Sequence, residues 1–218
     1  MEISKLWKGF KFPKCESCKK DCARHLKYDN LCSNLNYLQE FGEKNYIKNK
    51  ESFIELKKIM GNKIPTIFSF GCGIGLDYIS AKELFGNNIK YYGIDEYEWA
   101  IVKTNNYKNF SPKLPQTIKF DVGTFLLNGS QNNLVLCFFN SLFTISENTD
   151  LEKLLINALK NQDTFYLVCD YTINSNFHMP TVEQEFINNL IKKLKQYFEA
   201  KRYEILDGKG IIIKAKRN

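Results

Sequence analysis

The chain has 218 residues, 44% of them hydrophobic and 25% charged, a balance that supports one moderate core and excludes wholesale disorder. It holds no apolar run of about 18 residues, so no membrane span is expected. The opening MEISKLWKGFKFPKCE lacks the apolar stretch of a secretory signal, so a cytoplasmic protein is expected. The formal net charge is +7, which permits a polyanionic partner such as RNA without requiring one.

Residues 1–48 are polar and weakly periodic and read as a module of their own, followed by a domain over 49–218. The first 32 residues hold eight Lys or Arg against four acids. CESCKKDCARHLKYDNLC places Cys15, Cys18, Cys22 and Cys32 at spacing C-x2-C-x3-C-x9-C. Four soft thiolates with short first loops suit a tetrahedral zinc site or an iron–sulfur cluster, and His25 could stand in for one of them. Four free cysteines in a small helical cap is the plainer alternative. Disulfides are not expected of a reducing compartment.

From about residue 50, helical and strand-like patterns alternate, the mark of an α/β domain. KESFIELKKIMGNK sets Phe53, Leu56, Ile59 and Met60 on one helical face. PTIFSF reads as a buried strand, GLDYISAKELFG as a helix, IKYYGID as a strand and EYEWAIVKTNNYK as a short helix. TIKFDV and NLVLCFF are strands. TDLEKLLINALKN is a helix with a capping-box spacing between Thr149 and Glu152. TFYLVCDY is a buried strand. TVEQEFINNLIKKLKQYF reads as a helix throughout, with Val182, Phe186, Leu190, Leu194 and Phe198 every four residues. KRYEIL and GIIIKAK flank an Asp-Gly turn and read as a hairpin. Crossover helices imply parallel strands and a tight hairpin an antiparallel pair. Seven strands in a Rossmann-like, mostly parallel sheet with a C-terminal antiparallel hairpin are therefore expected.

The strand PTIFSF runs into Gly71, Gly73 and Gly75, spacing GxGxG. A dinucleotide turn would need its third glycine where Leu76 stands, and a P-loop would need GK[ST]. Asp95 ends the next strand, where a carboxylate can accept ribose hydroxyls, and Asp121 follows at the end of the third. Open α/β sheets bind ligands at these strand ends.

With FSFGCGIG, YGIDE, KFDVG and NLVLCFFNSLF in succession, residues 50–218 resemble the class I S-adenosylmethionine-dependent methyltransferases. The resemblance implies strand order 3-2-1-4-5-7-6. It implies Gly71, Gly73 and Gly75 near the methionyl part of S-adenosylmethionine, Asp95 with Glu96 at the ribose, and Asp121 with Val122 at the adenine. Phe139 and the residues after the fourth strand would lie towards the methyl group. Ser69 stands where the family usually has an acid, two residues before the first glycine. Asp77 reads only as a first-turn residue complementing the helix dipole.

Catalytic groups are sparse. Asn140-Ser141-Leu142-Phe143 keeps the N-x-x-F spacing of amino-methylating enzymes but neither of their prolines. Asn140 is a candidate acceptor of an amine hydrogen bond, and His178, after the fifth strand, a candidate general base, with Tyr171 a further one. The expected function is a methyltransferase acting on a macromolecule, RNA ahead of others. A small-molecule methyltransferase and a non-catalytic scaffold are the alternatives.

Overall fold

The structure, a computed structural model, describes residues 37, 41–95, 117–119, 131–139, 151–170, 182–205 and 210–218. Its strands are β1 (Thr66–Phe70), β2 (Lys90–Asp95), β3 (Thr117–Lys119), β4 (Leu134–Phe138), β5 (Thr164–Asp170), β6 (Phe198–Ile205) and β7 (Gly210–Arg217). They form one sheet in the order β3-β2-β1-β4-β5-β7-β6. The first five pair in parallel, and β7 runs antiparallel to both β5 and β6. The Rossmann-like α/β class is as the sequence suggests.

The described helices are α1 (Glu43–Met60), α2 (Leu76–Phe85), α3 (Leu151–Leu159) and α4 (Val182–Leu194). Successive strand residues point to opposite faces, and the central strands are apolar on both. Leu134, Leu136 and Phe138 of β4 join Phe165 and Leu167 of β5 against Leu155, Leu159, Leu190 and Leu194 of α3 and α4. The intervening Val135, Cys137, Tyr166 and Val168 pack with Phe53, Leu56 and Met60 of α1 and Ala81 of α2. Gly210 lets β7 lie close against the end of β5: a Cβ there would meet the Cys169 carbonyl oxygen at 2.6 Å.

Two helix boundaries differ from the sequence reading. Helix α1 begins at Glu43 and runs through the division placed at 48/49. Its buried stripe opens with Tyr46 and Asn49 ahead of Phe53, and those polar groups hide the periodicity. Helix α4 ends at Leu194, and Phe198 begins β6 instead of extending the helix. Its fourfold spacing is accidental: Phe198 is buried edge-on to Phe165, ring centroids 5.1 Å apart. The cysteine segment, EYEWAIVKTNNYK, Thr149 and the hairpin turn lie outside the described residues.

Candidate functional site

Strand β1 ends at Phe70, and the chain turns through Gly71–Gly75 into α2. Gly71, Gly73 and Gly75 have φ of 67°, 54° and 76°. Side-chain-bearing residues are strained in that left-handed region, so the alternating glycines have a conformational cause. The Gly71 and Cys72 N–H groups donate to the Ile94 carbonyl at 2.7 and 3.1 Å, and the Gly75 N–H donates to the Cys72 carbonyl at 2.9 Å. The Gly73 N–H donates to the Asp95 carboxylate at 2.7 Å. These N–H groups are thus engaged within the turn and by the end of β2. A phosphate cradle works by presenting such groups to its ligand, so this turn is built differently.

Negative charge is what the turn does present. Asp95 clasps it from β2. Asp77, in the first turn of α2, is buried and accepts a hydrogen bond from the Tyr91 hydroxyl at 2.8 Å. Burial pushes its pKa up, against the opposing pull of Ser69, Tyr91 and the backbone N–H groups of Tyr78 and Asp77 itself. Its field reaches outward. The Cys72 thiol is raised well above its ordinary value by burial and then by Asp77 and Asp95. Burial and then Asp77 raise Tyr91 and Cys137 in the same way. Asp77 lies in the first turn of α2, where it complements the helix dipole as its sequence position suggests, and it is in addition buried and bonded to Tyr91. Tyr91, buried on β2, is held where its hydroxyl reaches Asp77.

Farther along the same end of the sheet, Asp170 closes β5 and pairs with Lys48 of α1, Nζ to Oδ2 2.8 Å. The Asp170 side chain is 1% exposed and that of Lys48 21%, so the pair is anchored inside and open at the lysine. Phe139, just past β4, is buried edge-on to Phe53, centroids 5.5 Å apart. Ser69 is buried beside Asp77, yet its oxygen makes no well-formed hydrogen bond.

The structure thus brings Gly71, Gly73, Gly75 and Asp95 together and sets Phe139 in the core under α1. Glu96, Asp121, Val122, Asn140, Tyr171 and His178 lie outside the described residues, as do Cys15, Cys18, Cys22, His25 and Cys32. Among the described residues, no group of three or more His, Cys, Asp or Glu is placed to hold a metal ion. None of the described helices is long and apolar enough to cross a membrane. Sequence reasoning missed the contact of Asp77 with Tyr91 and the pairing of Lys48 with Asp170. For Asp170, the one available signal is an acid directly closing the apolar run FYLVC.

This sheet order, with a glycine turn after its first strand, defines the class I S-adenosylmethionine-dependent methyltransferase fold. Solved structures agree. A magnesium protoporphyrin IX methyltransferase from Synechocystis PCC 6803 with bound SAM matches at TM-score 0.52 and 13% identity, over 93% of this chain and 99% of that one. A putative S-adenosyl-L-methionine-dependent methyltransferase from Methanococcus maripaludis matches at TM-score 0.59 and 12% identity, over 88% and 94%. A third, an S-adenosylmethionine-dependent methyltransferase from Clostridium acetobutylicum, matches at TM-score 0.53 and 13% identity, over 84% and 96%. No protein-family model matches the sequence, and no curated protein matches it.

Proposed function

We propose that the chain is a methyltransferase that uses S-adenosylmethionine. One observation carries this reading: the glycine turn engages its own N–H groups and sits in the field of Asp77 and Asp95. Such a turn suits a cationic, phosphate-free nucleoside better than a dinucleotide. When bound, the cofactor would supply an electrophilic methyl group on sulfonium. The chain's own residues bind and orient. The left-handed glycines allow close backbone approach, and Asp95 is placed to accept from ribose hydroxyls while holding Gly73. Asp121 and Val122 would face the adenine. Asn140 and His178 are the candidates to orient an acceptor or take its proton, each through a hydrogen bond to the reacting group.

For the acceptor we favour a macromolecule, RNA first, because the basic opening segment suits phosphate contacts. A small-molecule acceptor is the second reading, favoured by similarity to a magnesium protoporphyrin IX methyltransferase. In the opening segment, Cys15, Cys18, Cys22 and Cys32 are the proposed ligands of one zinc ion, with an iron–sulfur cluster the alternative. A non-catalytic scaffold would keep the fold without turnover.

Calorimetric titration with S-adenosylhomocysteine tests the cofactor. Micromolar affinity, about −7 to −8 kcal/mol, is expected, and silence at millimolar ligand would overturn the proposal. Transfer of labelled methyl groups to fractionated cellular RNA, protein and metabolites then separates the acceptor classes and tests turnover. Elemental analysis of untagged protein, expected to find about one zinc per chain, tests the cysteine site.

A further inference from the structure

Strand β6 closes the sheet beyond β7, away from the glycine turn. Its register with β7 sets residues directly opposite one another: Glu199 faces Lys216, Lys201 faces Lys214 and Tyr203 faces Ile212. Alternation puts these six on the α1 side of the sheet, because Ile212 belongs to the cluster under α1 and Tyr203 packs against it. Lys216 thus meets an acid across the ladder. Arg202, on the opposite face, is bridged to Glu204 at 2.7 Å and bonded to Asn188 of α4 at 3.0 Å. Lys214 meets a second lysine.

Directly opposed residues of an antiparallel pair hold their Cβ atoms about 5 Å apart, and like charges there oppose pairing. The other strand beside Lys214 brings no relief, since it sets Tyr166 of β5 opposite. Among the described residues, no carboxylate is in ion-pair contact with Lys201 or Lys214. Lys201 is exposed and lies over the Tyr203 ring, Nζ 5.2 Å from the centroid, and Lys214 is half-buried. The ring steadies one ammonium without neutralising it. Two ammonium groups held side by side match a single bridging anion with several acceptor oxygens, which is the chemistry of a phosphate.

Resting on the reading of RNA as the methyl acceptor, we infer that Lys201 and Lys214 together hold a backbone phosphate of a single-stranded RNA at the β6–β7 edge of the sheet. A bridging phosphate cancels the repulsion that the register builds in, so RNA binding and strand pairing reinforce each other. Tyr166, opposite Lys214, lies four residues before Asp170 at the end of β5. At about 3.3 Å per residue, the lysine pair sits about 13 Å from the ligand-binding end of the sheet. That is a span of about four stacked nucleotides at about 3.4 Å each, so one strand can touch both places. Tyr197, 51% exposed just before β6, offers a ring on which a base can stack. A cation pair beside an exposed aromatic ring suits single-stranded RNA better than a membrane surface.

Fluorescence anisotropy of a labelled oligouridylate, titrated with the full chain over a series of salt concentrations, tests the pair. The double variant Lys201→Gln with Lys214→Gln should bind about tenfold or more weakly at low salt, and its slope of log affinity against log salt should be shallower by about 0.7 per lysine. Lys201→Arg with Lys214→Arg should keep both affinity and slope. Lys216→Gln removes a charge that Glu199 already faces and should change affinity by less than about twofold. Circular dichroism and calorimetry with S-adenosylhomocysteine should match wild type in every variant. If wild type binds the RNA and the double glutamine variant keeps its affinity and slope, only this inference fails, and RNA is held elsewhere. Equal loss from Lys216→Gln also overturns it, because general attraction would then suffice. If wild type binds phosphatidylserine vesicles and not RNA, the partner is a membrane surface and the inference falls. If wild type binds neither at low salt, the RNA reading fails and takes the inference with it.

Discussion

The two faces of the sheet are built from alternate residues of the same strands, yet they differ in kind. Under α3 and α4 the buried apolar cluster runs up to the carboxyl ends of the strands through Phe70, Ile94, Leu136, Phe138 and Leu167. Under α1 and α2 the apolar cluster is interrupted near the carboxyl ends of the strands by Ser69, Asp77, Asp170 and Asn49. Burying polar groups opposes folding unless they find partners. The first face carries its apolar packing to the strand ends, while the second holds charge where open α/β sheets place their ligands.

The sharpest way to break this division is to cut into the apolar face. Phe138 is fully buried and stacks on Phe70, centroids 4.7 Å apart and planes 5° from parallel. Phe138→Ala should cost about 3–5 kcal/mol of stability in urea unfolding. Next in size is Asp95→Ala, whose main cost should fall on the ligand. Loss of a charged acceptor, together with the clasp on Gly73, should weaken S-adenosylhomocysteine binding by about 1.5–3 kcal/mol by calorimetry. The urea midpoint should move much less than for Phe138→Ala. Similar midpoint losses in the two variants would show that the faces share the structural work.

Strands and their order were legible because uninterrupted apolar runs such as NLVLCFF have few other uses than a doubly covered strand. The glycine turn and Asp95 were legible because conformation and strand-end position both constrain residue type. What was hidden depends on contacts between distant segments. Asp77 and Tyr91 are fourteen residues apart in the chain and meet only because β2 lies beside β1. Lys48 meets Asp170 across most of the domain. The start of α1 was missed because Tyr46 and Asn49 bury polar atoms on a stripe that a hydrophobicity pattern leaves blank.

The polar face can be probed by pH. Burial holds the Asp77 carboxyl above its ordinary range, so the folded chain keeps this proton to higher pH than the unfolded chain does. The stability tied to that proton is fully present below the unfolded value, about 3.9, and is lost as pH rises through the folded value. Asp77→Asn keeps an acceptor for Tyr91 and cannot ionise. Relative to wild type it should gain stability between acid and neutral pH, seen as urea midpoints that converge or cross as pH rises. A variant that loses ground towards neutral pH would show that ionised Asp77 stabilises the fold, and would erase the contrast between the faces at this residue.

The smallest effect belongs to the outer layer of that same face, where Tyr46 and Lys50 of α1 grip Glu83 of α2. The Tyr46 hydroxyl donates to Glu83 at 2.5 Å and the Lys50 ammonium at 3.0 Å. Burial and the carboxylate push Tyr46 up to about 12, so it stays a donor throughout the working range. At Glu83 burial acts to raise the pKa, but the hydrogen bonds from Tyr46 and Lys50 prevail and hold it below its ordinary value. The sign is thus opposite to that of Asp77: the stability is present above the unfolded value, about 4.3, and is lost as pH falls through the folded value. The Lys50 and Glu83 side chains are 39% and 25% exposed, so water screens the pair. Glu83→Gln should cost less than about 1 kcal/mol at neutral pH, and the difference from wild type should vanish in acid. A difference that persists in acid, once the carboxylate is protonated in both states, would mean that Glu83 contributes by packing α1 on α2 and not by its charge.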